Sequence, residues 1–179
     1  LPSWAWSPMT IDLTHWLPSG VPVRVAFEYT GRDGAQVGLD EVTIAGACDG
    51  GLYASFSEYA DNWFSHGGTW YIGSAYLYTY GLAGYFSSAS YAGNFSNFIY
   101  SARLRRTGCD SCANYIVFRG TPDPLTASYN WYNEYKLQTD RLRNSSVWKR
   151  VSGAGMALKG WSYTPALHLG DAWNTLTAV

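Results

Sequence analysis

Phe98-Ile99-Tyr100-Ser101-Ala102-Arg103-Leu104-Arg105-Arg106 alternates in polarity with a period of two. Phe98, Tyr100, Ala102 and Leu104 fall on one face, and Ser101, Arg103 and Arg105 on the other. Successive side chains of a strand point to opposite sides, so this is a strand with one buried face. Asn114-Tyr115-Ile116-Val117-Phe118-Arg119-Gly120 follows across the turn Thr107-Gly108-Cys109-Asp110-Ser111-Cys112-Ala113. So short a turn predicts that the two strands pair as an antiparallel hairpin.

The same alternation extends in both directions. Val21 to Thr30 and Val37 to Ile44 read as strands separated by the turn Gly31-Arg32-Asp33-Gly34. From Ala45 to Gly51 the chain is small and glycine-rich, which places a boundary there. The expected division is a partial jelly-roll-like β segment over residues 1–46 and a β-sandwich over 47–179. Gly68 to Ile72 and Ala75 to Tyr80 flank Gly73-Ser74 as a hairpin. Trp131 to Gln138 and Ser146 to Val151 form another pair, and Trp161 to Thr164 and Trp173 to Val179 complete the series. Short strands punctuated by turns predict an all-β, antiparallel two-layer β-sandwich.

Composition agrees and narrows the partners. The chain has 179 residues with 9 Trp, 15 Tyr and 7 Phe, and only 14% are charged, against about 25% in ordinary soluble domains. Rings in that proportion suit sheets with broad apolar faces. A net charge of −1 provides no field for phosphate, so nucleic acid and anionic membranes are poor partners. No apolar run reaches the roughly 18 residues of a membrane span, so no membrane insertion is expected. Of Cys48, Cys109 and Cys112, the last two stand close enough in sequence to staple a turn, and the expectation is a disulfide there. Free thiols are the alternative there, with a metal site behind both, and the chain is expected outside the cell or at its surface.

Two stretches resemble known families. Trp6 to Leu13, Val23 to Tyr29 and Val37 to Ile44 resemble the closing half of a MAM-like jelly roll. From Phe56 onward the chain resembles a concanavalin-A-like (laminin-G-like) module of bacterial exported proteins. The residues that carry this are Tyr91-Ala92-Gly93 through Phe98, Ala113 to Gly120, Trp131 to Tyr135, Ser146 to Val151 and Gly170 to Leu176. The resemblance implies a concanavalin-A-like jelly roll of the lectin and glucanase type. In that family the Trp-Asn-Thr-Leu strand is followed by others, whereas here the chain stops at Val179. Both ends therefore look incomplete, and an unclosed sheet would need covering by further sequence or another chain.

Glucanases of this type carry paired carboxylates on one strand, because glycoside hydrolysis needs an acid and a nucleophile or base about one bond. No Glu-x-Asp-x-Glu or Glu-x-Asp-x-x-Glu occurs, and Glu134 has no acidic neighbour two residues on. Nor is there a Gly-x-Ser-x-Gly elbow. No catalytic residue and no enzyme activity are expected. His15, His66 and His168 stand apart from other metal-binding types and read as turn or surface residues, so no metal site is expected from them. Asp33, Asp40, Asp49 and Asp61 lie near glycine-rich turns where oxygens could gather around Ca²⁺. In turns, aspartate more commonly satisfies its own backbone, so the expectation is no cofactor, with calcium the alternative.

A binding face remains. If Ile116 and Phe118 point inward, then Tyr115, Val117 and Arg119 point outward, with Tyr132, Glu134 and Lys136 on the next strand. Arg103, Arg105, Arg119, Tyr132, Glu134 and Lys136 would then line one sheet face, suited to sugar hydroxyls and sugar C–H faces. The alternative is a solvated face whose charges pair across strands. Two functions follow: a non-catalytic glycan-binding or adhesion module whose partner is a glycan or cell-surface protein, or a fibre subunit completed by copies of itself. In the second, Val25, Phe27, Leu39 and Val42 lie on strands that fill a neighbour's open sheet.

Overall fold

The computed structural model describes residues 8–11, 23–30, 36–45, 52–57, 60–81, 83–95 and 98–179, and of residues 8–11, 23–27, 29–30, 36–45 and 94 the backbone alone. The strands are β1 (Pro8–Ile11), β2 (Val23–Thr30), β3 (Gln36–Ala45), β4 (Leu52–Ala54), β5 (Trp63–His66), β6 (Trp70–Ile72) and β7 (Leu77–Tyr80). They continue with β8 (Phe86–Phe95), β9 (Ile99–Arg106), β10 (Asn114–Leu125), β11 (Trp131–Thr139), β12 (Asn144–Val151), β13 (Ala154–Tyr163) and β14 (Asn174–Ala178). No helix occurs among the described residues.

The strands form two seven-stranded sheets. The first runs β1-β14-β9-β3-β7-β6 with β4 also beside β3, and the second runs β13-β12-β11-β10-β2-β8-β5. Pairing is antiparallel except between β1 and β14. The sheets face each other across one core. Leu77, Tyr100, Ala102, Leu104, Leu176 and Ala178 enter it from the first sheet, and Ala89, Ile116, Phe118 and Leu137 from the second. The two-layer all-β architecture is as expected, and so is the one-sided burial of β9, where Tyr100, Ala102 and Leu104 are buried.

Three expectations are corrected. β9 and β10 do not pair: β9 lies between β14 and β3 in one sheet, and β10 between β11 and β2 in the other. The cysteine-bearing turn is therefore a corner between layers, because the apolar faces of both strands must meet the same core from opposite sides. Cys109 and Cys112 stand at disulfide-bonding distance at that corner, with Cα atoms 5.4 Å apart.

Second, the described strands before position 46 do not form a segment of their own. β2 sits inside the second sheet and β3 inside the first. Third, those same strands offer no edge to a neighbouring copy. Val25 pairs with Phe118 on one side and Tyr91 on the other, and Phe27 with Ile116 and Ala89. Leu39 pairs with Leu104 and Leu77, and Val42 with Ala54. A strand bonded on both sides has no free donors to lend.

β8 and residues 154–160 of β13 carry no clear sequence signal, while the strand expected from Trp161 is found as the end of β13. β8 reads Phe-Ser-Ser-Ala-Ser-Tyr-Ala-Gly-Asn-Phe, yet Ser87, Ser88, Ala89 and Ser90 are all buried. Its small polar residues are accepted inside because partners reach them, among them the Trp131 indole, which donates to Ser88 Oγ at 3.0 Å.

Candidate functional site

The outward face of the first sheet gathers rings and guanidinium groups. Arg105 pairs with Gly38, Gly38 with Tyr78, and Tyr78 with Tyr71, so four strands contribute one row in register. Gly38 has no side chain, which leaves the middle of the row low between Arg105 and Tyr78. Leu77 and Thr79 point into the core, so Tyr76, Tyr78 and Tyr80 alternate outward. The Tyr71 ring is 5.5 Å from Tyr78 and 6.2 Å from Tyr80, Tyr78 is 5.7 Å from both Tyr76 and Tyr80, and Tyr76 is 6.3 Å from Trp173. Tilted and edge-on arrangements at these separations are the favourable ones for ring quadrupoles.

At the other end of this face Arg103 and Arg105 lie over the Trp173 ring, at 4.8 and 5.4 Å from its centroid. Stacking holds two planar donor groups flat against the sheet. Tyr71 is 46% and Tyr80 53% exposed, so the rings are available to a ligand. Crowding of the phenols raises the Tyr78 hydroxyl above its ordinary pKa, through desolvation first and then its neighbours Tyr80 and Tyr76. The Tyr78 hydroxyl therefore holds its proton and serves as a hydrogen-bonding phenol.

The six residues expected to share one face are divided. Arg103 and Arg105 are in the first sheet, whereas Arg119, Tyr132, Glu134 and Lys136 follow the second. Arg119 occupies a bulge between Phe118 and Gly120 with φ of 49°, and burial lowers its pKa while Tyr135 opposes this. Tyr132 packs under the β12–β13 turn, where a Cβ on Gly153 would approach its ring to 3.1 Å.

Glu134 and Lys136 do lie on the face opposite Leu137, but that face is buried. Tyr115, Val117 and Trp131 form a second apolar cluster there, with Phe86 and Leu125 packed against it. By parity with Leu137, Trp131 belongs on the core side, yet it joins this cluster, beyond the two register shifts in the pairing of β10 with β11. Lys136 Nζ lies 3.1 Å from Glu28 Oε2 and 3.2 Å from Glu134 Oε1, with Arg150 Nε also 3.2 Å from Glu134 Oε1. The rings of Phe86 and Tyr115 lie 5.0 and 4.8 Å from the same ammonium. Burial pushes Glu28 up to about 8 against the pull of Lys136. Burial works to lower Lys136, but the carboxylates of Glu28 and Glu134 outweigh it and hold its pKa above the ordinary value.

Sequence reasoning missed Glu28, which reaches this cluster from β2 across β10. It also missed the tyrosine row, although Ala75-Tyr76-Leu77-Tyr78-Thr79-Tyr80 displays three tyrosines on one parity. Of the aspartates considered for calcium, Asp61 is exposed and borders a cleft of about 320 Å³ with Trp63 and Tyr91. Asp33, Asp49 and the Asp40 side chain lie outside the described residues, as does His15. Among the described residues no three His, Cys, Asp or Glu side chains gather as a metal site. His66 is half-buried, with Nε2 2.7 Å from Ser90 Oγ. No family model, curated protein or solved structure matches the chain.

Proposed function

We propose that this chain is a non-catalytic extracellular module that binds glycans through the tyrosine and arginine face of its first sheet. The observation that carries the reading is the exposed Tyr71 and Tyr80 with the half-buried Tyr76 and Tyr78, beside the guanidinium groups over Trp173. Sugars present C–H faces to rings and hydroxyls to fork-shaped donors, and this surface offers both within one plane. Two facing seven-stranded sheets support a place in the concanavalin-A-like class.

The second sheet supports the non-catalytic part. Glu28 and Glu134 are the two carboxylates that come together there, and the Lys136 ammonium fills the gap between them. Hydrolysis needs that gap for the scissile bond. Glycan-array screening followed by calorimetry with the best oligosaccharide tests the reading. Tyr71→Ala combined with Tyr80→Ala lowers affinity by roughly tenfold or more without changing the circular dichroism spectrum. An array with no bound sugar, or an unchanged affinity in the double variant, would sink the proposal.

A further inference from the structure

Of the strands that end the two sheets, β1, β4, β5 and β6 are four, three, four and three residues long. Shortness is one of the ways proteins keep sheet edges from recruiting other chains. β13 is different: it has ten residues, no proline and a single charge, Lys159. One side pairs with β12, and no described strand lies on the other. Every residue of β13 except Ser162 is exposed, including Met156 at 57%, Leu158 at 40%, Trp161 at 46% and Tyr163 at 61%. The second sheet thus ends in a long row of backbone donors and acceptors flanked by apolar side chains.

Charge says what fits it. Residues 141–170 contain Arg141, Arg143, Lys149, Arg150 and Lys159 and no Asp or Glu, so all 13 acidic residues lie elsewhere. Arg141 and Arg150 are neutralised by Asp110, Asp171 and Glu134. Arg143, which donates to the Tyr163 hydroxyl at 3.2 Å, and Lys149 and Lys159 have no carboxylate within ion-pair distance among the described residues. Register sets Lys149 opposite Met156 and Val147 opposite Lys159; Lys159 is exposed on the edge strand itself, and the Lys149 ammonium lies one strand in, 5.4 Å from the Tyr135 ring. A second copy laid against this edge would bring the same Arg143, Lys149 and Lys159 and no carboxylate, and like charge added to like disfavours pairing of identical edges.

We propose that β13 is a docking edge for an extended acidic segment of another protein, which adds to the second sheet as a further strand. Backbone pairing supplies the attachment, and a carboxylate of the incoming strand meets Lys159 within the wider positive field of Arg143 and Lys149.

The test uses the full chain and capped peptides matched in length to β13, one alternating Val with Glu and one alternating Val with Lys. Calorimetry gives the affinity and amide hydrogen exchange gives the location. The Val-Glu peptide binds and slows exchange along β13, and the Val-Lys peptide does not. Lys159→Glu, at an exposed position, weakens binding by several-fold, and adding Lys149→Glu brings the loss to roughly tenfold or more. Equal affinity for the two peptides, or protection away from β13, overturns the proposal. So does self-association of the chain that itself protects β13, which would make a second copy the occupant. Binding of dextran sulfate that competes with the peptide while no β13 amide is protected would reduce the patch to general anion attraction, and overturns it as well.

Discussion

Two carboxylates buried beside each other persist only if a cation reaches both, and Lys136 does so within 3.2 Å of each. The balance is uneven, because desolvation still raises Glu28 from 4.5 to about 8. A group whose pKa is raised on folding holds its proton more tightly in the native state. Its contribution to stability is complete below 4.5 and is lost as pH rises through about 8. Lys136 is also raised, but its own contribution changes only above 10.5, outside that window. Urea unfolding followed across the window therefore shows a midpoint that falls with pH, and Glu28→Gln flattens the fall. A wild-type midpoint that does not move across this range would contradict the assignment. Sequence could place Glu134 and Lys136 on one parity of β11, since alternation alone does that. It could not give their burial, which depends on Phe86, Leu125 and the displaced Trp131 closing over the outer face.

Strands were legible where one face was apolar and the other polar. β9 and the β11–β12 and β6–β7 hairpins met that condition and are found where alternation puts them. β8 failed it, because both of its faces are covered and small polar residues serve where large apolar ones would not fit. Ser88 carries the cost of that choice by accepting the Trp131 indole proton. Ser88→Ala leaves that buried donor without its acceptor and lowers stability by about 1–3 kcal/mol in equilibrium urea unfolding. A loss well under that range would show that Trp131 finds another acceptor. β13 failed the condition in the opposite sense: no face of it is buried, so no alternation was selected. The short turn between β9 and β10 predicts a hairpin, but the two strands enter different sheets. A turn of that length serves equally at a corner, and the sequence does not say which sheet the chain enters next.

At the scale of the whole molecule, the glycine-rich stretch after Ala45 looks like a boundary, yet the pairing runs across it. β2 and β3 each have neighbours on both sides drawn from beyond residue 46. A chain begun at residue 47 would lose an inner strand from both sheets and expose the core on two sides. Such a truncation gives no cooperative urea transition and loses the near-ultraviolet circular dichroism of the intact chain. A cooperative transition close to that of the full chain would restore the two-part division. What the sequence determined by itself is local: which segments extend, which faces are apolar, and that rings rather than charges dominate the surface chemistry. Those follow from period-two alternation and composition, which act over a few residues. Only the tertiary structure decided which strands are neighbours, and hence that Arg103 and Arg105 share a face with tyrosines while Glu134 and Lys136 are sealed elsewhere. Strand pairing is set by fitting two apolar faces into one core, and the backbone groups that execute it are the same at every residue.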